Sequence, residues 1–145
     1  MGLDQEHQRK IQAFFKSQRE VAAIFLYGSQ NQGTANPMSD LDLGILFKPE
    51  VNSSQFTRFQ LEYIAGVERI IGDELSCDLK ILNEQSSLPY LFQVFSGDKL
   101  MVNDQSMTIS FMTQKLSQYY DFVPVINDYH NQVTNRLRQG KYAAN

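Results

Sequence analysis

Three aspartates and one turn are the residues of this sequence best suited to do chemistry together: Asp40, Asp42, Asp78 and the pair Gly28-Ser29. Two carboxylates at i and i+2 of a strand project from the same face, about 6 to 7 Å apart along the chain. At that spacing their oxygens can share divalent cations, and an acid from a neighbouring strand, Asp78, can complete the shell. Magnesium takes hard oxygen ligands and keeps waters and phosphate oxygens as well, so clustered, solvent-facing carboxylates are what a Mg·ATP site needs. Two such ions about 3.5 to 4 Å apart stabilise the attacking and leaving oxygens of an in-line displacement at phosphorus.

Each part has a plainer reading when taken alone. An Asp-x-Asp at a strand start is also the pattern of two solvated acids, and a Gly-Ser pair is often no more than a turn. An EF-hand does not fit, because Leu41 and Leu43 are apolar and Gly44 comes one position early. Gly28-Ser29 gains weight from its place directly after an apolar run. A residue without Cβ there lets the backbone approach a phosphate, with nearby N–H groups pointing at its oxygens.

Other chemistries find less support. His7 and His130 are the only histidines and lie far apart, which leaves a Ser-His or metal-His mechanism without a partner set. Cys77 is the only cysteine, so no internal disulfide forms, and on the apolar side of its segment it reads as a buried, inert thiol in a reducing compartment, by default the cytoplasm. Lys80, two residues from Asp78, reads as a neutralising neighbour rather than a phosphate ligand. Arg136, Arg138 and Lys141 form a basic tail that reads first as a solvated helix face.

The elements that must position the acids follow from periodicity. Residues 3–18 place Leu3, His7, Ile11, Phe14 and Phe15 at helical spacing. VAAIFLY at 21–27 is the short apolar run of a strand buried on both faces and ends at Gly28. The polar stretch 30–39, with Gly33 and Pro37, has loop composition. In DLDLGILFK, the apolar Leu41, Leu43, Ile45 and Phe47 alternate with Asp40 and Asp42, predicting a strand from Asp40 with both acids on one face. Residues 54–71 read as a helix capped by Ser53 or Ser54 and stopped by Gly72. LSCDLKIL at 75–82 alternates again, with Asp78 and Lys80 opposite Leu75, Cys77, Leu79 and Ile81. A short helix at 88–97, a strand at 99–102 and a helical stretch over about 105–140, interrupted near Pro124, complete the chain.

This order predicts an α/β (α+β) fold with a mixed sheet flanked by helices. The 145 residues, 42% hydrophobic and 12% aromatic, suit one domain over 1–145, with a core of about 1–103 and a helical C-terminal segment. A net charge of −3 argues against an extended nucleic acid as partner. No apolar run is long enough to span a bilayer, and the N-terminus lacks a signal peptide's apolar stretch, so the expectation is a soluble chain with no membrane partner.

Turn, spacing, acids and strands agree together with one family. GSQNQGTANPMSDLDLGILF resembles the GSxxxG…SDxDL pattern of the DNA polymerase β-like nucleotidyltransferase superfamily. The short chain further resembles the minimal nucleotidyltransferases, or MNT proteins, many of which are antitoxins paired with HEPN-domain ribonuclease toxins. That resemblance implies a polymerase β-like fold and a magnesium-dependent adenylyltransferase, with AMP passing from ATP to a tyrosine of a HEPN partner held in a hetero-oligomeric complex. It implies that Gly28, Ser29, Gly33 and Ser39 hold the nucleotide, that Asp40 and Asp42 bind two Mg2+ ions, and that Asp78 completes the site and helps activate the acceptor hydroxyl. Many relatives carry Ala-Arg before the second glycine of the loop; here Asn31-Gln32 precede Gly33, and a phosphate-pairing cation is missing.

Overall fold

The computed structural model describes residues 4–27, 41–72 and 76–138, with side chains described as far as residue 121. Helix α1 (Gln5–Lys16) opens on Asp4, whose carboxylate accepts the His7 backbone N–H at 2.7 Å. Strands β1 (Val21–Tyr27) and β2 (Leu41–Phe47) pair antiparallel. Helix α2 (Phe56–Ile71) then crosses back so that β3 (Cys77–Ile81) pairs parallel to β2, a connection that a tight hairpin cannot make. Helix α3 (Leu88–Phe95), strand β4 (Asp98–Val102) and helix α4 (Gln105–Arg138) follow. The sheet order is β3-β2-β1-β4, with β4 antiparallel to β1. It is the mixed sheet flanked by helices that the element order predicts.

Two apolar layers sandwich the sheet. On one face Ile11 and Phe15 of α1 and Phe56, Tyr63, Val67 and Ile71 of α2 pack against Ile24, Leu43, Ile45 and Phe47. On the other, Leu91 and Val94 of α3, supported by Met107, Phe111 and Met112 of α4, cover Ala23, Phe25, Tyr27 and Leu46. Because β1 lies inside the sheet and under both layers, all seven of its residues are buried, which is what its unbroken apolar run requires. Helix α3 is itself fixed between sheet and α4: Phe95 meets Phe25 at 5.6 Å and Phe111 at 6.1 Å, and Phe92 stacks on Tyr119 at 4.5 Å.

Side-chain amides close the backbone accounts that the ladders leave open. Asn83 accepts the Phe47 N–H at 2.8 Å and donates to the Phe47 carbonyl at 2.9 Å, acting as one more rung beyond β2. Asn103 donates to the carbonyls of Phe15, Gln18 and Val21, tying the end of α1 to the start of β1 just before α4 begins. Gln60 of α2 donates to the Leu79 carbonyl.

Several expected boundaries shift. Ser53 and Ser54 do not cap α2; Asn52 accepts the Ser54 N–H and starts a single 3-10 turn, Ser53–Gln55, from which the helix continues. Gly72 ends α2 as expected, at φ +70. Pro124 does not interrupt α4, whose backbone stays helical through Arg138. A proline removes one N–H from the ladder, and the turns on either side keep their own bonds, so a long helix can run through it. Leu3 and Leu75 lie outside the described residues. Among the described residues no helix is long and apolar enough to cross a membrane.

Candidate active site

The last residue of β1 and the early residues of β2 and β3 meet at one end of the sheet. In the ladder Tyr27 is the partner of Asp42, and Asp42 is the partner of Asp78, so the three lie in a row across three adjacent strands. Residues directly opposite in a ladder project from the same face, with Cβ atoms about 5 Å apart. That face is the one covered further along by α3: Tyr27 belongs to the same cluster as Leu46, Leu91 and Val94. Helix α3 stops short of covering the acids, which both remain partly exposed.

The alternation that placed Asp42 and Asp78 opposite the apolar residues is therefore present. Leu41, Leu43, Cys77 and Leu79 point into the core on the far side. The strand starts are pinned from that side too, since Leu41 N–H bonds the Ser76 carbonyl at 2.7 Å and Cys77 N–H bonds the Glu68 carboxylate at 3.1 Å. Lys80 lies 3.6 Å from Asp78 with both side chains about half exposed, the neutralising neighbour that its spacing implied. Such a pair contributes little to stability.

Tyr27 and Tyr90 were not singled out by the sequence, yet they form the wall of this row. Tyr90, in the first turn of α3, meets Tyr27 edge to face at 5.8 Å and 89°, and their hydroxyls are hydrogen-bonded. Tyr27 is buried, and burial above all raises its phenol pKa well beyond the ordinary value; the bond to Tyr90 and the charges of Tyr90, Asp42 and Asp78 push the same way. Burial also raises Tyr90, helped by the charges of Asp78 and Asp42, while the bond from Tyr27 pulls in the other direction. Both phenols thus feel the two carboxylates. A tyrosine directly before the Gly-Ser pair was a usable signal for Tyr27. Tyr90 carried none, because only the packing of α3 on the sheet brings it there.

Gly28, Ser29, Gly33, Ser39 and Asp40 lie outside the described residues, within the segment that joins the end of β1 to the start of β2. The described residues that flank it, Tyr27 and Leu41, lie at the carboxylate row. Among the described residues there is no group of three or more His, Cys, Asp or Glu that could hold a metal ion. Asp42 and Asp78 nonetheless offer hard oxygen donors, side by side and open to solvent, the donor chemistry that magnesium takes.

Comparison with known proteins agrees with this geometry. The family model described as Polymerase beta, Nucleotidyltransferase matches residues 9–106, a span that includes the four strands of the described residues. No curated protein sequence matches the chain. Among solved structures, a chain of a toxin–antitoxin complex with AMP-PNP superposes with TM-score 0.62 and 20% identity, covering 91% of this chain and 99% of that one. A chain from the complex of tri-AMPylated Shewanella oneidensis HEPN toxin with MNT antitoxin gives 0.58 at 17% identity, covering 90% and 98%. One from an MntA–HepT toxin–antitoxin structure gives 0.58 at 17% identity, covering 90% and 99%. At these identities the structural likeness speaks for the fold. Together with the family match over residues 9–106 it leads to one conclusion: the chain belongs to the polymerase β-type nucleotidyltransferase family.

Proposed function

We propose that this nucleotidyltransferase is a magnesium-dependent antitoxin that transfers AMP from ATP to a tyrosine hydroxyl of a partner HEPN ribonuclease toxin and so neutralises it. The observation that carries the reading is the placement of Asp42 opposite Asp78 at the end of the sheet where β1 stops at Tyr27 and β2 starts at Leu41, the two strands that flank the GSQNQGTANPMSD sequence. The toxin–antitoxin complexes of similar fold, one with AMP-PNP and one with an AMPylated toxin, support the choice of nucleotide, reaction and partner.

In this reading Gly28, Ser29, Gly33 and Ser39 hold the triphosphate, and Asp40, Asp42 and Asp78 hold two magnesium ions. The ions would neutralise charge building on the triphosphate and favour ionisation of the acceptor hydroxyl. The tyrosine oxygen attacks the α-phosphorus of ATP, the bond from that phosphorus to the bridging oxygen of the β-phosphate breaks, and pyrophosphate leaves with the bonding pair. In the same reading Asp78, on the outer strand of the row, completes the site and helps activate the hydroxyl by taking its proton. The acceptor arrives on a protein surface of its own, which suits a small domain acting with its partner in the cytoplasm.

The test is co-expression with the neighbouring gene product, purification of the complex, and intact-mass measurement of the partner before and after incubation with Mg·ATP. The expected result is a gain of one or more adenylyl units that disappears in the Asp40→Ala/Asp42→Ala variant. A stable complex that binds nucleotide but leaves the partner's mass unchanged would overturn the transferase reading and leave neutralisation by occlusion.

A further inference from the structure

We infer that Tyr90 is a nucleotide-binding residue of this site, its hydroxyl donating a hydrogen bond to the triphosphate, and that Tyr27 is the positioning residue that aims it. The inference rests on the nucleotidyltransferase reading above and deepens it.

The two bonded hydroxyls have unequal surroundings. Tyr27 is 6% exposed, whereas Tyr90 is only partly buried. A phenol has one proton to give and lone pairs to accept with, and a buried hydroxyl whose proton goes unpaired is costly. The arrangement that satisfies the buried member has Tyr27 donating to the Tyr90 oxygen. Tyr90 then accepts within the pair and keeps its own O–H for a partner outside it. The ring positions are held independently of that bond, by the edge-to-face contact of Tyr90 on Tyr27 and by α3, whose Leu91 and Val94 are buried against the sheet.

The direction in which that O–H is useful follows from the row. Tyr27, Asp42 and Asp78 are consecutive ladder partners on one face, and Tyr90 stands over the Tyr27 end of it. A nucleotide whose phosphates are drawn to the carboxylates through divalent cations therefore presents anionic oxygens beside the Tyr90 hydroxyl. The carboxylates themselves can only accept hydrogen bonds and repel bare phosphate, so a neutral donor next to them supplies what they lack. The sequence of the loop lacks one charged donor, since it carries Asn31-Gln32 where many relatives have a cation next to the second glycine. A charge-assisted bond from a neutral phenol to phosphate is of the stronger kind.

The experiment is equilibrium binding of Mg·AMP-PNP and of AMP to the purified full chain and to its Tyr90→Phe and Tyr27→Phe variants, with the melting temperature of each recorded. Tyr90→Phe keeps the ring and its packing. It should weaken AMP-PNP about tenfold, the scale of one hydrogen bond to a charged group, while AMP affinity changes much less. Tyr27→Phe leaves the Tyr90 donor present but unaimed, and should lose about threefold for AMP-PNP in the same selective way. A merely structural role would lower both nucleotides together and the melting temperature with them, and that outcome overturns the inference. Unchanged AMP-PNP affinity in Tyr90→Phe against clear wild-type binding overturns it too and leaves the transferase reading standing. Wild-type protein that binds neither nucleotide would overturn both.

Discussion

Gly97 gives the sharpest mutational test of how the site is built. It sits between α3 and β4, and a Cβ added there would lie 2.4 Å from the Leu26 carbonyl oxygen and 3.1 Å from the Tyr27 Cβ. A carbon meets a carbonyl oxygen comfortably at about 3.3 Å, so the Gly97→Ala variant must open the gap by roughly 0.9 Å. The obstructing oxygen is main chain of a strand buried over its whole length, and no rotamer change can relieve it. Overpacking of this kind costs about 1 to 3 kcal/mol, and a backbone obstacle belongs at the upper end. For a domain of this size that lowers the melting temperature by about 6 to 12 °C. Gly66→Ala is the informative control, since its Cβ would meet the far end of the Phe14 ring at 2.4 Å, and Phe14 is a half-buried side chain able to swing away. Thermal unfolding followed by circular dichroism should therefore rank Gly97→Ala as the more damaging. A Gly97→Ala melting temperature within about 2 °C of wild type, or a larger loss at Gly66, would refute the claim that main chain packs directly against main chain beside Tyr27.

Three further outcomes follow from the same contacts. On the proposed reading Asp78→Asn takes away the carboxylate assigned to metal binding and proton transfer without changing shape, so adenylyl transfer measured by partner mass should fall at least about a hundredfold while the melting temperature stays within a few degrees. Asn83→Ala leaves the Phe47 N–H and carbonyl unpaired in a partly buried setting and should cost about 2 kcal/mol in urea unfolding; an unchanged midpoint would mean that water replaces the rung. The raised pKa of Tyr27 means that the folded state holds its proton more tightly than the unfolded chain does. The stabilisation linked to it is complete below about pH 10 and is lost as pH rises through the folded value, so wild type should lose stability more steeply than Tyr27→Phe between about pH 9.5 and 11.5. Equal slopes would contradict that linkage.

Much of this architecture is legible in the sequence because the signals are local and periodic. VAAIFLY has no polar residue to turn outward and becomes a fully buried central strand. The alternation around Asp42 and Asp78 places both acids opposite the core, and their side-by-side register follows once β2 and β3 pair. What escapes the sequence is set by tertiary contact. Tyr90 reaches the row only because α3 packs across the sheet, and Asn83 looks like an ordinary turn residue until it is seen bridging Phe47. Ser53 and Ser54 carry the right chemistry for a cap, but Asn52 precedes them and takes the turn. Pro124 weighs more in a sequence reading than in a long helix, where one missing bond is small beside the many that remain. Gly28, Ser29, Gly33, Ser39 and Asp40 fall outside the described residues, so their roles rest on the motif.

Asn103 draws together the end of α1, the start of β1 and the last residues before α4, and so it fixes the root of a helix of 34 residues. At about 1.5 Å per residue that helix is about 50 Å long, and beyond its root it is held again along its first half, where Phe111 meets Phe95 and Tyr119 stacks on Phe92. From Tyr119 to Arg138 the helix runs on for about 28 Å, so a tilt of about 5° beyond Tyr119 sweeps its end through about 2.5 Å. Asn103 thus sets where the arm begins and α3 sets its aim, and the strand that Asn103 braces, β1, is the same strand that ends in Tyr27.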